Sequence, residues 1–101
     1  MVIVIVKFRL PQGITEEVLR EKFLETAPMY QETTGLIRKN YLSDIESGIG
    51  GGVYCFDTME NAKAWFSEDR IAWLGQRYSN PDVKFFASPV LVDNQSGKIE
   101  N

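Results

Sequence analysis

The hydrophobic pattern of the chain opens with a β-strand. Residues 2–6 are branched apolar side chains and are followed by Lys7 and Phe8, a composition that favours β-structure. Both alternating faces of this strand are apolar, and they carry Val2, Val4, Val6 and Phe8 on one side and Ile3, Ile5 and Lys7 on the other. An antiparallel sheet usually leaves one face to water. We therefore expect something to cover each side of this strand.

Apolar residues at helical spacing predict a first helix after the strand. Its buried face carries Leu19, Phe23, Ala27 and Tyr30. Thr15 is a suitable N-cap, because its hydroxyl can accept a hydrogen bond from a free amide of the first turn. We expect the helix to weaken near Pro28 and to end by residue 35.

A second helical region follows the middle of the chain, with Asp57 or Thr58 as its N-cap. Its apolar face carries Met59, Ala62, Trp65 and Phe66. Residues 67–69 interrupt this pattern, and a second short helical segment follows, with Ile71, Leu74 and Tyr78 on one side.

The remaining strands are predicted from composition and turn signals. Residues 36–43 and 53–56 are rich in β-branched and aromatic side chains, and glycines between them suit a hairpin. Residues 79–82 predict a turn, and residues 83–92 predict a fourth strand in which Pro89 marks an edge or a bulge. Residues 93–101 are mostly polar, and we expect a loose C-terminal tail there.

The predicted order is βαββαβ in a single domain over residues 1–92. Two split βαβ units form an α+β, ferredoxin-like layer, a four-stranded antiparallel sheet with the helices on one face. The other face is then bare, although the first and fourth strands are apolar on both sides. Since a large exposed apolar patch is unusual in a monomer, we expect two sheets to pack face to face in a homodimer.

Composition and charge exclude several functional classes. The net charge of −3 argues against a nucleic-acid surface, which is normally basic. No apolar run approaches the roughly 20 residues of a membrane span, and the first strand lacks the features of a signal peptide. A single cysteine and the absence of histidine exclude an internal disulfide and ordinary zinc sites. We expect a cytoplasmic protein.

Aromatic and basic side chains are the candidates for contacts with a small ligand. The six candidates are Trp65, Trp73, Tyr54, Tyr41, Lys39 and Arg38. Tryptophans on an apolar helix face more often belong to the core, and strand tyrosines often point a hydroxyl into water. Arg38 and Lys39 are neighbours on one strand, so at most one of them lines a given side of the sheet. Without histidine, a general base has to be a carboxylate, a tyrosinate or a lysine, and the sequence singles out none of these.

Three segments give the chain a family resemblance. They are Gly35-Leu36 followed by Lys39, the run 51–56 (Gly-Gly-Val-Tyr-Cys-Phe), and the helix start 58–65. With these segments the chain resembles the dimeric α+β barrel superfamily, the fold of the antibiotic-biosynthesis-type monooxygenases. More narrowly, it is similar to the small YdhR-type proteins, which are assigned as monooxygenases by analogy. The resemblance covers residues 2–92.

The resemblance implies a ligand cleft between the helices and the sheet. Some relatives oxygenate polycyclic phenols without metal or flavin, and others bind and degrade haem. Trp65 falls at the tryptophan of the haem-degrading relatives, but their histidine falls near Gly75 and this chain has no histidine. The expected function is therefore a monooxygenase without cofactor or metal, acting on a small phenol- or quinone-like molecule.

Two other classes of function remain open at this stage. A dimer that binds a small apolar ligand without turnover shares every sequence feature of the enzyme, so only turnover separates the two. The same βαββαβ order also builds RNA-recognition domains, which stack bases on exposed aromatic residues of the sheet. In this chain the matching strand segment opens with Gly51 and Gly52 instead of a basic residue, and the first strand is aliphatic.

Overall fold

Four long strands and three helices build the fold. The computed structural model describes all 101 residues. Its elements are β1 Val2–Arg9, α1 Glu16–Gln31, β2 Leu36–Asp44, β3 Ile49–Phe56, α2 Met59–Trp65, α3 Glu68–Arg77, β4 Ser79–Ala87, β5 Leu91–Asp93 and β6 Lys98–Glu100. Strands β1 to β4 form one antiparallel sheet in the order β2-β3-β1-β4. The predicted α+β, ferredoxin-like architecture is confirmed.

Side-chain caps fix the start of each helix. The hydroxyls of Thr15, Thr58 and Ser67 each accept a hydrogen bond from a backbone amide three residues later, over 3.1–3.2 Å. Of the two residues considered for the second cap, the structure uses Thr58. Helix α1 continues past Pro28 and ends at Gln31, before the predicted limit at residue 35. None of the three helices is long and apolar enough to cross a bilayer.

The hydrophobic core lies between the helices and one face of the sheet. Its buried members are Val2, Val4, Val6, Phe8, Tyr30, Tyr54, Phe56, Ala62, Phe66 and Leu74. The valines and Phe8 of β1 point into this core because successive side chains alternate between the two faces of a strand. Strand β1 itself is central, paired with β3 on one side and β4 on the other.

The opposite face of the sheet carries no helix. Ile3 and Ile5 of β1 lie on this face, and their register partners Cys55, Val53 and Phe86 lie beside them. Cys55 is buried, whereas 47% of the Phe86 surface is exposed. The centre of this face is apolar and, within one chain, only partly covered, whereas Lys84, the other register partner of Ile5, and Arg38, which pairs with Cys55, add charge on either side of it.

The C-terminal region differs from its prediction. Strand β4 begins at Ser79, where a turn was predicted, and ends at Ala87 instead of residue 92. It stops before Pro89, which has no amide hydrogen to continue a ladder. The following residues form a hairpin in which β5 pairs with β6, and the Asp93 carboxylate accepts hydrogen bonds from the amides of Gln95 and Ser96. The segment 93–101, predicted as a loose tail, thus includes a paired strand.

Gly51 marks a close approach between β3 and β1, and it provides a test of the register. A Cβ at this position would overlap the backbone oxygen of Val6, which is held in the sheet. Overpacking costs about 1–3 kcal/mol, so we expect Gly51→Ala to lower the free energy of unfolding by about 2 kcal/mol or more. The measurement is urea unfolding of the wild type and the variant.

Gly75→Ala is the matched control, because a Cβ there meets only the Cγ of Pro81, at 3.9 Å. Alanine is also the better helix former, by about 1 kcal/mol. This variant should therefore equal or exceed the wild type in stability. Unchanged stability of Gly51→Ala would contradict the close packing of β3 against β1.

Candidate functional site

A narrow cleft lies between helices α1 and α3 and the core-facing side of the sheet. We call it the inner cleft; it is lined by Phe8, Phe23, Thr26, Tyr30, Lys39, Tyr41, Gly51, Tyr54, Trp73, Leu74, Arg77 and Tyr78. Its empty volume is about 310 Å³ when open solvent is counted, but the space that a water-sized molecule can enter is only about 20 Å³. A space of this size holds about one water molecule. No aspartate or glutamate lines the inner cleft.

A second depression meets the inner cleft at the edge of the sheet. This outer groove is the larger space, with about 260 Å³ against about 20 Å³ for the inner cleft by the same measure. It is lined by Ala27, Tyr30, Gln31, Leu36, Ile37, Arg38, Lys39 and Tyr41. Tyr30, Lys39 and Tyr41 line both spaces. These three side chains therefore form the wall between the inner cleft and the outer groove.

The amine of Lys39 lies among three tyrosine rings. Its Nζ is 3.5 Å from the ring centroid of Tyr30, 3.7 Å from that of Tyr41 and 4.6 Å from that of Tyr54. The strand register explains part of this cage, because Lys39 pairs with Tyr54, and Tyr41 pairs with Gly52. A Cβ on Gly52 would lie 3.0 Å from Cε of Lys39, so the missing side chain leaves room for the lysine stem.

This environment changes the acid–base behaviour of Lys39. Burial lowers the pKa of its amine to about 6, since no carboxylate lines the cleft to pair with an ammonium group. The tyrosine faces attract a cation and oppose part of this effect. The outcome is an amine that changes its charge near neutral pH, which is the property of a useful general base.

The tyrosines around Lys39 remain protonated. Burial raises the pKa of Tyr30, Tyr41 and Tyr54. The hydroxyl oxygens of Tyr30 and Tyr54 are 3.5 Å apart. The hydroxyl oxygen of Tyr41 is 2.8 Å from that of Thr26. Neutral phenol groups beside Lys39 can donate hydrogen bonds to an oxygen that gains negative charge, whereas tyrosinates would repel it.

The structure brings together four of the six candidate residues from the sequence. Lys39, Tyr41, Tyr54 and Trp73 all line the inner cleft. Trp65 lies next to the cleft, with its ring 5.5 Å from that of Tyr30, and lines a separate surface depression.

Arg38 is the candidate that the strand directs away from the cleft. It pairs with Cys55 on the helix-free face and reaches only the outer groove. Because side chains alternate along β2, Lys39 points into the inner cleft and Arg38 points to the other face of the sheet.

Several residues of the cleft were not identified from the sequence. Tyr30 was recognised only as part of a buried helix face, although its ring is the nearest of the three to Lys39. Arg77 carried no signal, because its helix meets the sheet only in the folded chain. The helical spacing from Thr26 to Tyr30, one turn on one face, was the available indication.

No group of three or more histidine, cysteine, aspartate or glutamate side chains is arranged to hold a metal ion. Cys55 is a buried free thiol whose pKa is raised by burial. It lies on the helix-free side of the sheet, opposite Ile3.

Comparisons with known proteins identify the fold. No protein-family profile matches the sequence, and no curated protein matches it either. Among solved structures, a variant of MhuD with two manganese protoporphyrin IX molecules per active site has a TM-score of 0.70 and 20% identity, over 92% of this chain and 99% of that chain. SnoaB, a cofactor-independent oxygenase from Streptomyces nogalater, has a TM-score of 0.62 and 13% identity, over 86% and 91%.

A candidate antibiotic biosynthesis monooxygenase from Deinococcus radiodurans is similar over 92% of this chain and 97% of that chain, with a TM-score of 0.68 and 10% identity. At such identities the likeness defines the fold and nothing finer. The chain has the α+β fold of these solved structures.

The residues of this cleft do not fit a haem group. The chain has no histidine, and Cys55 faces the other side of the sheet. Tyrosine can ligate haem iron as tyrosinate, but burial raises the pKa of every tyrosine that contacts Lys39 and so disfavours that form.

Lys39 should make the protein more stable as the pH rises through neutrality. The folded amine titrates at about 6 and the unfolded one at 10.5, so between these values the unfolded chain binds more protons. The free energy of unfolding therefore increases with pH in this window, and the dependence ends below about pH 6. We expect the urea midpoint to increase from about pH 6 to about pH 9, with a clearly smaller increase in Lys39→Met.

Lys22→Met is the control for this experiment, because it removes an exposed lysine of α1. It should keep the wild-type dependence on pH. An equal slope in the wild type and Lys39→Met would contradict a buried, deprotonated Lys39.

Proposed function

We propose that the protein is a cofactor-independent oxygenase that acts on a small phenol- or quinone-like aromatic molecule. The observation that carries this proposal is the amine of Lys39, held 3.5–4.6 Å from three tyrosine ring centroids in a cleft without carboxylates. Because the chain has no histidine, this amine is the base best placed to take a phenolic proton at neutral pH. The YdhR-type assignment and a cytoplasmic location are parts of the same proposal.

The reaction needs a base, a dry site and molecular oxygen. Nζ of Lys39 takes the phenolic proton, and a ring carbon of the resulting phenolate donates electrons to O2. One oxygen atom forms a carbonyl on that carbon, whose hydrogen is lost as a proton. The other oxygen leaves as water with this proton and the one held by Lys39, so that a phenol and O2 become a quinone and water.

The two spaces beside Lys39 suit different parts of this reaction. Phe23, Trp73 and Tyr78 line the inner cleft and give it an aromatic wall suited to an aromatic ring. The space of about 20 Å³ that a water-sized molecule can enter has room for a molecule as small as O2. The outer groove reaches Lys39 from the other side and gives its amine a route for proton exchange with solvent.

Oxygen uptake tests this function directly. Purified protein and a panel of naphthols and polycyclic hydroquinones should consume O2 without added metal, flavin or nicotinamide. Because Lys39→Met removes the base, it should lower kcat by at least about 100-fold, within the usual range for general-base catalysis. Tyr54→Phe removes one hydrogen-bond donor and should cost about tenfold.

The control variant for the oxygen-uptake measurement is Lys22→Met, which should retain wild-type turnover. Binding of the phenols without O2 uptake would contradict catalysis and favour a carrier of small aromatic molecules. Equal turnover of Lys39→Met and the wild type would exclude Lys39 as the base.

We also propose that the protein is a two-fold homodimer in which the helix-free faces of two sheets pack together. Ile3, Ile5 and Val53 form a partly exposed apolar surface there, next to Phe86. Sheets that pack face to face bury such residues in a layer about 10 Å thick. A second copy of the same surface is self-complementary and closes the assembly.

Ile5→Lys tests the dimer. A buried unpaired charge costs several kcal/mol, so we expect this variant to sediment as the 11.5 kDa monomer at micromolar concentration, where the wild type sediments at twice that mass. Gln12→Lys adds the same charge at an exposed loop position and should remain dimeric. A wild type that sediments only as a monomer would refute the proposed interface.

A further inference from the structure

Tryptophan and arginine side chains alternate in a stack along helices α2 and α3. The guanidinium carbon of Arg70 is 3.9 Å from the ring centroid of Trp65 and 5.4 Å from that of Trp73. The guanidinium carbon of Arg77 is 5.1 Å from the ring centroid of the same Trp73. Spacings of three and four residues place Arg70, Trp73 and Arg77 on one side of α3.

Neither arginine of this stack is paired with a carboxylate. The one ion pair of the chain joins Lys84 and Asp82, at 4.0 Å. The directed contact of Arg70 is from Nη1 to the sulfur of Met29, 3.6 Å away, and a thioether is a weak acceptor. The buried Nε1 of Trp65 also lacks an acceptor. In a chain with a net charge of −3, this side of the fold has unused donors and positive charge.

The charge of the stack reaches the inner cleft. Trp73 and Arg77 line the cleft together with Tyr30. Although burial raises the pKa of Tyr30, the charges of Arg70 and Arg77 act in the opposite direction and lower it. Glu68 and Asp69 lie in the first turn of α3, and neither is within 4.0 Å of a guanidinium group. An anion in the cleft would therefore meet Arg77, which lines it, and would also feel the charge of Arg70, whose guanidinium carbon is 5.4 Å from the Trp73 ring.

We propose that the substrate is a planar aromatic anion, whose carboxylate binds Arg77 in the inner cleft, with Arg70 adding to the positive charge there, while its ring lies among the aromatic side chains that line the cleft. Guanidinium groups bind carboxylates through two parallel hydrogen bonds, and the arginine plane lying against an indole is already oriented. Lys39 lines the same cleft and is the base available to the phenolic oxygen of such a ring. This inference rests on the proposed function, because it assigns the substrate class of the same cleft.

Calorimetric titration of three probes separates this inference from the function on which it rests. The probes are 2-naphthoate, its uncharged amide 2-naphthamide, and 2-naphthol, titrated at about pH 8, where Lys39 is mostly neutral because its amine titrates at about 6. We expect naphthoate to bind at least about tenfold more tightly than naphthamide, which corresponds to about 1.4 kcal/mol. Added salt should reduce this preference.

Substitutions in the stack should remove the preference for the anion without preventing binding of the ring. Arg70→Gln combined with Arg77→Gln should make the affinities for naphthoate and naphthamide equal. The double lysine variant, Arg70→Lys with Arg77→Lys, should retain part of the preference, because it keeps both charges. Arg20→Gln, on the exposed side of α1, is the matched control and should behave as the wild type.

Three outcomes of these titrations distinguish the inferred substrate class from the proposed oxygenase function. A preference for naphthoate that the double glutamine variant abolishes supports the inference. Equal binding of naphthoate and naphthamide by the wild type overturns the inference and leaves the proposed oxygenase standing. Absence of binding by all three probes overturns both. Because the comparison of acid with amide needs only the wild type, it remains decisive even if the double variant fails to fold.

Discussion

The missing side chains at the start of β3 are the constraint on which the cleft depends. Gly51 and Gly52 let β3 approach β1 and leave space beside β2, and this space is where the stem of Lys39 lies. A larger residue at Gly52 would meet that stem and the ring of Tyr54. The packing that holds the sheet together and the position of the buried amine therefore have the same cause. A stability defect and a loss of function are hard to separate at these glycines.

Most of the fold could be predicted from the sequence because its signals are local. The apolar run 2–6, the helical spacing of Leu19, Phe23 and Tyr30, and the glycines before Val53 each act over a few residues. The C-terminal hairpin was missed for the converse reason. Residues 93–101 are mostly polar, and their strand depends on pairing with β5 rather than on a hydrophobic pattern.

The site could be predicted only in part. Tyr54, Tyr41 and Lys39 were recognised as candidates, but the choice between Lys39 and Arg38 needed the direction of the β2 side chains. The contact of Lys39 with Tyr30 joins a strand to a helix, and no spacing within either element predicts it. The shift of the Lys39 pKa is likewise a property of the folded chain, since it comes from burial without a counter-charge.

Both tryptophans of the chain belong to the stack on α2 and α3, and this has a practical consequence for spectroscopy. Intrinsic fluorescence excited at the red edge of the protein band reports on one corner of the molecule only. It follows the environment of Trp65 and Trp73 and is blind to the helix-free face of the sheet and to the C-terminal hairpin. An unfolding curve recorded in this way describes the cleft side of the protein, and circular dichroism has to supply the rest.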